Sequence, residues 1–157
     1  MRYVVDLQTN CGTIEIRLAT GRAPKTAASF AALVRRGFYD GLVFHRVVRG
    51  FVIQGGDPLG TGFGGPGYTV VEPPPGDTAY TNGVVAMAKS EADPRGASGS
   101  QFFIVTGEDA RLPPDYALVG GVVRGMDVAK RIEKVAVDAQ DRPRSPIVIE
   151  KATLRTG

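Results

Sequence analysis

Two short apolar, β-rich runs, Tyr3 to Gln8 and Thr13 to Leu18, flank Asn10, Cys11 and Gly12, which supply the turn chemistry of a hairpin. The pattern then changes period. Ala27, Phe30, Ala31 and Val34 recur on one helical face, Pro24 pre-sets the first turn and Gly37 offers a left-handed stop, predicting an amphipathic helix over 24–36. Val43 to Gln54 returns to aromatic and β-branched residues, read as two strands kinked at Gly50 and closed by Gly55 and Gly56. The stretch from Leu59 to Pro75 carries five glycines between 60 and 67 and a triple proline, so it reads as loop around one short strand at 68–71.

Further strands are predicted at Val84 to Ala88, Gln101 to Val105, Leu118 to Val123 and Ile147 to Leu154, with a polar loop holding Asp93, Pro94, Gly96 and Gly99 between the first two. Gly125 opens a second helix in which Val128, Ala129, Ile132 and Val135 share a face while Lys130, Arg131 and Lys134 take another. About eight short strands and two helices without a β-α alternation predict an all-β fold. A closed eight-stranded antiparallel barrel capped by two short helices is the favoured form, because closure removes exposed edges, and a sandwich is the alternative.

Composition narrows the class. The 157 residues are 43% hydrophobic and 22% charged, which suits one water-soluble domain spanning 1–157 and not a disordered chain. With 21 Gly and 11 Pro the chain turns too often for a helical bundle. Nineteen Lys and Arg against sixteen Asp and Glu leave +3, spread without a run, so neither nucleic acid nor membrane is expected as a partner. Asp6 interrupts the first apolar stretch before a signal-peptide core forms, and no stretch approaches a membrane span. One Cys and one His cannot build a finger-type zinc site, no metal or other cofactor is called for, and the unpaired Cys11 suits a reducing cytoplasm.

Several motifs reduce to ordinary roles. The glycine-rich segment 60–67 lacks the Gly-Lys-Ser/Thr of a phosphate loop, and Pro73 to Pro75 forbid the helix that such a loop needs. His45 with Ser29, Ser98 or Ser100 could form a hydrolase pair, yet there is no Gly-x-Ser-x-Gly elbow. Glu108 and Asp109 read as a solvated loop. Two strand segments stand apart: Phe44 to Asp57, and Ser100-Gln101-Phe102-Phe103-Ile104, which set Arg, Gln and Phe inside strands. Period two puts Arg46 on the face opposite His45, and Gln101 with Phe103 opposite Phe102, so one face of each strand is a candidate site.

Through Phe-His-Arg-x-x-x-Gly-Phe-x-x-Gln-Gly-Gly-Asp at 44–57 and Ser-Gln-Phe-Phe-Ile at 100–104, the chain resembles the cyclophilin family of peptidyl-prolyl cis/trans isomerases. The resemblance extends through Ala23 to Thr26, Gly37 to Gly41, Gly62 to Gly67, Val85 to Ala88, and Val119-Gly120 with Gly125-Met126, nearly the whole chain in order, and suggests a compact bacterial-type member. It implies isomerisation of X-Pro bonds in folding or flexible chains, by a monomer, with no cofactor. Arg46 matches the catalytic arginine, Phe51, Val52, Phe103 and Leu112 the proline pocket, and Gln54, Ala88 and Gln101 the contacts to the substrate chain.

Three positions depart from the common family pattern. Arg111 stands where many members carry Trp, Tyr116 where many carry His in the substrate site, and Val52 where Met is frequent. Loss of the indole implies weak binding of cyclosporin, whereas the catalytic set is retained. The alternatives are a non-catalytic proline-peptide-binding module on the same barrel, against which Arg46 speaks, and a basic nucleic-acid-binding barrel, against which the lack of an aromatic-interleaved basic cluster speaks.

Overall fold

A computed structural model describes residues 2–157. The chain runs β1 (Tyr3–Thr9), β2 (Gly12–Leu18), α1 (Pro24–Arg35), β3 (Arg46–Val48), β4 (Val52–Gly55), β5 (Val70–Val71), β6 (Val84–Met87), β7 (Ala97–Ser98), β8 (Phe102–Val105), β9 (Leu118–Arg124), α2 (Met126–Glu133) and β10 (Ile149–Thr156). Eight of the strands form one antiparallel sheet in the order β10-β1-β2-β9-β6-β8-β4-β3, while β5 and β7 pair separately. The predicted all-β architecture with two helices is the one observed. β7 lies in the segment read as polar loop, because two residues carry no periodicity and pair only with the distant Val70 and Val71.

The sheet curls into a barrel that closes only in part, which corrects the expected full closure. No ladder joins β3 to β10. The seam is instead made just before each strand, where Gly41 N–H donates to Ile149 O (2.7 Å), Ile149 N–H to Leu42 O (2.8 Å) and Phe44 N–H to Ile147 O (2.9 Å). The outer edge of β3 is taken by the 138–142 loop, through Val47 N–H to Asp141 O at 2.8 Å, so β10 has no strand edge left to pair with there.

Inside the curl, Val5, Leu7, Ile14, Ile16, Ile53, Phe102 and Ile104 are buried together with one face of each helix. The helix α1 packs on β9 and β10, and α2 on β2 and β4. Gly125, at φ +89°, starts α2 from the left-handed region, and a side chain there would strike the carbonyl of Thr13. The helix stops at Glu133, short of the predicted face residue Val135, which still packs on the core. Glu72, next to β5, accepts the N–H groups of Lys25 and Thr26 at 3.0 and 2.8 Å and so caps α1 from a distance.

Phe102 centres the main core, its ring meeting Phe30 and Tyr39 at 5.6 Å and Phe44 at 5.9 Å between centroids, each edge to face. Phe102→Ala is expected to cost about 3 to 5 kcal/mol of unfolding free energy. Urea denaturation of the two proteins measures this, and a loss under about 1 kcal/mol would contradict the assigned core position.

Candidate active site

The strands β4, β6 and β8 bury apolar residues on both faces, unlike a sheet with one wet side. Phe102 and Ile104 point into the main core, and strand alternation therefore turns Phe103 and Val105 outward. There they join Val52, Tyr80 and Ala86 in a second buried cluster, with Phe51, Ala88, Leu112 and Tyr116 half-buried at its margin. Register aligns the row: Gln54 lies opposite Arg46 on one side and Phe103 on the other, and Phe103 opposite Ala86.

A cavity of about 490 Å³ opens over this row. Phe51, Val52, Phe103, Leu112 and Tyr116 supply its apolar surface, and Phe103 and Tyr116 meet edge to face at 5.6 Å. Arg46 stands over Phe51, with the guanidinium carbon 5.8 Å from the ring centroid. Its Nη1 donates to Gln54 Oε1 at 3.2 Å, Gln54 Nε2 donates to Gln101 Oε1 at 3.1 Å, and Gln101 Nε2 donates to the carbonyls of Gly62 (3.0 Å) and Gly64 (2.9 Å). Each amide is thus oriented by its neighbour, which leaves a permanently charged arginine with free donors facing the cavity.

The far end of that chain is anchored by Asp57, buried beneath the glycine-rich loop. Its carboxylate accepts N–H groups of Leu59 (2.9 Å), Thr61 (2.8 Å) and Gly62 (2.5 Å). Burial pushes the Asp57 carboxyl up, but these donors with that of Gly64 outweigh it and hold the pKa below the ordinary aspartate value. A side chain at Gly64 would collide with Asp57, which explains a glycine there. On the opposite wall, the Tyr80 hydroxyl donates to Tyr116 O (2.6 Å) and accepts from Tyr116 N–H (3.0 Å), fixing that loop. Burial raises the Tyr80 pKa, against the lowering effect of the Tyr116 hydrogen bond, so it remains a donor at neutral pH.

Of the residues singled out in the sequence, Arg46, Phe51, Val52, Gln54, Ala88, Phe103, Leu112 and Tyr116 line the one cavity. Gln101 lines an adjoining cavity of about 640 Å³ and reaches the first through Gln54. Arg111 does not line either; it is exposed on the following loop at φ +55°. His45 corrects the parity reading. Because β3 begins only at Arg46, strand alternation does not extend to His45, which shares the cavity with Arg46.

His45 makes no catalytic pair with serine. Ser100 Oγ donates to Gly56 O and Ser98 Oγ to Val70 O. Burial lowers the His45 pKa, Asp57 opposes this, and Arg142 and Arg46 add to it. Sequence reading missed Lys89, Gln140 and Arg142 as cavity residues. Lys89 directly follows the matched Ala88 and was within reach of the motif, whereas 140–142 arrive from a distant loop that no local pattern marks.

The family described as cyclophilin type peptidyl-prolyl cis-trans isomerase/CLD matches residues 4–154. Peptidyl-prolyl cis-trans isomerase A of Mycobacterium tuberculosis is 40% identical over 165 residues, covering 94% of this chain and 90% of the relative. Peptidyl-prolyl cis-trans isomerase ppi1 of Schizosaccharomyces pombe is 43% identical over 152 residues, covering 94% and 96%. Among solved structures, a Cryptosporidium parvum cyclophilin type peptidyl-prolyl cis-trans isomerase, crystallised in the presence of the dipeptide Ala-Pro, superposes with a TM-score of 0.91 at 30% identity, over 98% of this chain and 99% of that one. The chain belongs to the cyclophilin-type peptidyl-prolyl cis-trans isomerases, and its activity is theirs, the isomerisation of peptidyl-prolyl bonds.

Removing the loop's anchor tests the network. Asp57→Asn is expected to lower stability at neutral pH by about 1 to 3 kcal/mol, the scale of hydrogen bonds to a charged acceptor. Because the folded pKa lies below the unfolded one, the carboxylate's contribution is complete above the usual aspartate range and is lost as pH falls through the depressed value. The stability gap between wild type and variant should therefore narrow towards pH 3, and a gap independent of pH would remove Asp57 from this role.

Proposed function

We propose that this chain isomerises X-Pro bonds with Arg46 as its catalytic residue and with the Phe51, Val52, Phe103 and Leu112 surface holding the proline ring. The observation that carries the assignment is the Arg46 guanidinium, held by Gln54 at the edge of a cavity whose floor is Phe51, Val52, Phe103 and Leu112. Rotation about a peptide bond is slow, with a barrier of about 18 to 20 kcal/mol, because the nitrogen lone pair is delocalised into the carbonyl. Only X-Pro bonds populate both isomers appreciably. A catalyst has to bind the twisted amide better than either planar form.

Twisting localises the lone pair on the prolyl nitrogen, which then accepts a charge-assisted hydrogen bond from Arg46; in the planar amide that nitrogen is a poor acceptor. The bond contributes about 1.5 to 3 kcal/mol, or roughly ten- to over a hundredfold in rate. Positioning supplies the remainder: the ring is anchored in the apolar pocket, while Gln54, Gln101 and the backbone of Ala88 hold the flanking chain and Tyr116 closes the wall. The guanidinium oriented by Gln54 weighs against a non-catalytic peptide binder.

Proline-containing peptides are bound by the family, and we assign flexible or unfolded chains as the clients here. No helix among the described residues is long and apolar enough to cross a membrane, and we assign the protein to the cytoplasm as a monomer, its cavity being completed within one chain.

Arg46→Ala should slow turnover of a proline tetrapeptide by ten- to a hundredfold or more with the fold intact, and Arg46→Lys should rescue poorly, since an ammonium lacks the planar fork that can hold Gln54 and substrate together. A protease-coupled isomerisation assay with circular dichroism decides it, and a near-wild-type rate for a folded alanine variant would end the mechanism. Cyclosporin should bind weakly, because exposed Arg111 offers a hydrated cation where an indole would bury apolar area. At about 25 cal/mol per Å², restoring on the order of 50 to 100 Å² by Arg111→Trp tightens the inhibitor by roughly five- to seventyfold, with a much smaller change in peptide turnover. Calorimetry on the two proteins measures it, and equal affinities would place position 111 outside the contact.

A further inference from the structure

The charges around the cavity are one-sided. Arg46, Lys89 and Arg142 line it together with His45, and no Asp or Glu does. The ion pairs of the described residues lie elsewhere, and none includes Arg46, Lys89 or Arg142. Nearby carboxylates are already engaged. Asp57 is buried and saturated by backbone N–H groups beneath the loop. Asp138, on the surface, accepts the backbone N–H groups of Gln140 and Arg142, while the Arg142 guanidinium donates to Gly60 O at 2.5 Å.

Of the three cations, Lys89 has the longest hydrogen bonds. It stands over the Tyr116 ring, Nζ 5.5 Å from the centroid, and lines both the 490 Å³ cavity and the adjoining one. Its own partners are two long bonds to main-chain carbonyls, Ser90 O at 3.3 Å and Asp93 O at 3.4 Å. The Asp93 carboxylate is instead taken by the N–H and hydroxyl of Ser90, at 3.1 and 2.9 Å. An ammonium that keeps only weak carbonyl partners, on the border that a peptide crosses between two cavities, is free to exchange them for a carboxylate at little cost.

We propose that Lys89 is a specificity-determining residue, and that this isomerase favours prolines with an acidic residue immediately beside them. This rests on the assignment of the cavity to the proline peptide. A substrate carboxylate at the cavity border pairs with the Lys89 ammonium, partly shielded from water by Tyr116; the one carboxylate lining that border, Asp93, is held by the N–H and hydroxyl of Ser90. A substrate lysine in the same place meets a net positive rim. The preference is electrostatic, so it acts on capture of the peptide and weakens with salt.

The test uses neutral-capped tetrapeptides carrying Glu, Gln or Lys directly before proline, and a second set with the same residues directly after it. For wild type at low ionic strength, kcat/KM is expected to fall in the order Glu, Gln, Lys in at least one set, with about three- to tenfold between neighbours, and the spread should contract towards unity near 0.5 M salt. Lys89→Glu should reverse the order, and Lys89→Gln should flatten it. Because each comparison is a ratio within one protein, a general loss of activity in a variant does not obscure the result. Turnover of the Gln peptides without any Glu preference, or a preference that survives Lys89→Glu, overturns the proposal and leaves the isomerase assignment standing. Failure of wild type to turn over any of the peptides overturns both.

Discussion

The register between β4 and its two neighbours is the constraint on which the site depends. Gln54 has Arg46 opposite it on β3 and Phe103 opposite it on β8, so one cross-strand row carries the cation, the amide that orients it and an aromatic wall of the cavity. A slip of one residue between β4 and β8 would turn Phe103 inward and drive Phe102 out of its ring of aromatic partners. The main core thereby enforces the register that the outer face uses. Packing inside and chemistry outside are two faces of the same short strands.

That arrangement carries an energetic demand. An arginine half-buried beside phenylalanine needs partners for the donors that water no longer serves, and here one partner is a side-chain amide that is itself held. The chain of bonds runs from Arg46 through Gln54 and Gln101 to the carbonyls of the glycine-rich loop, and that loop folds around the Asp57 carboxylate. A loop that looks merely flexible in composition is therefore a structural part of the site. Its glycines let the backbone approach Asp57 closely, most clearly at Gly64.

The two cavities share Gln54, Gly62, Ala88 and Lys89 as their border. One side of it is mainly aromatic and aliphatic, with Phe51, Val52, Phe103, Leu112 and Tyr116; the other is lined by the glycine-rich loop, Ser90 and Asp93. The border thus joins an apolar surface to a polar one, and the Lys89 ammonium, held by two long carbonyl bonds, sits where the two meet.

Much of this was legible in the amino-acid order. Strand alternation set Phe103 opposite Phe102, the spacing of Ala27, Phe30, Ala31 and Val34 defined α1, and the two motifs holding Arg46, Gln54, Gln101 and Phe103 marked residues that the fold brings side by side. These are local properties, set by the period of the backbone and by motif spacing. Tertiary structure alone decided the rest. β7 exists only because Val70 and Val71 come alongside it, closure stops short because the 138–142 loop occupies the edge of β3, and Arg142 enters the cavity from that same loop. His45 joins Arg46 because the strand begins one residue later than alternation assumed. In each case the deciding contact lies between segments far apart in the chain, or at an element boundary, where neither period nor propensity carries the information.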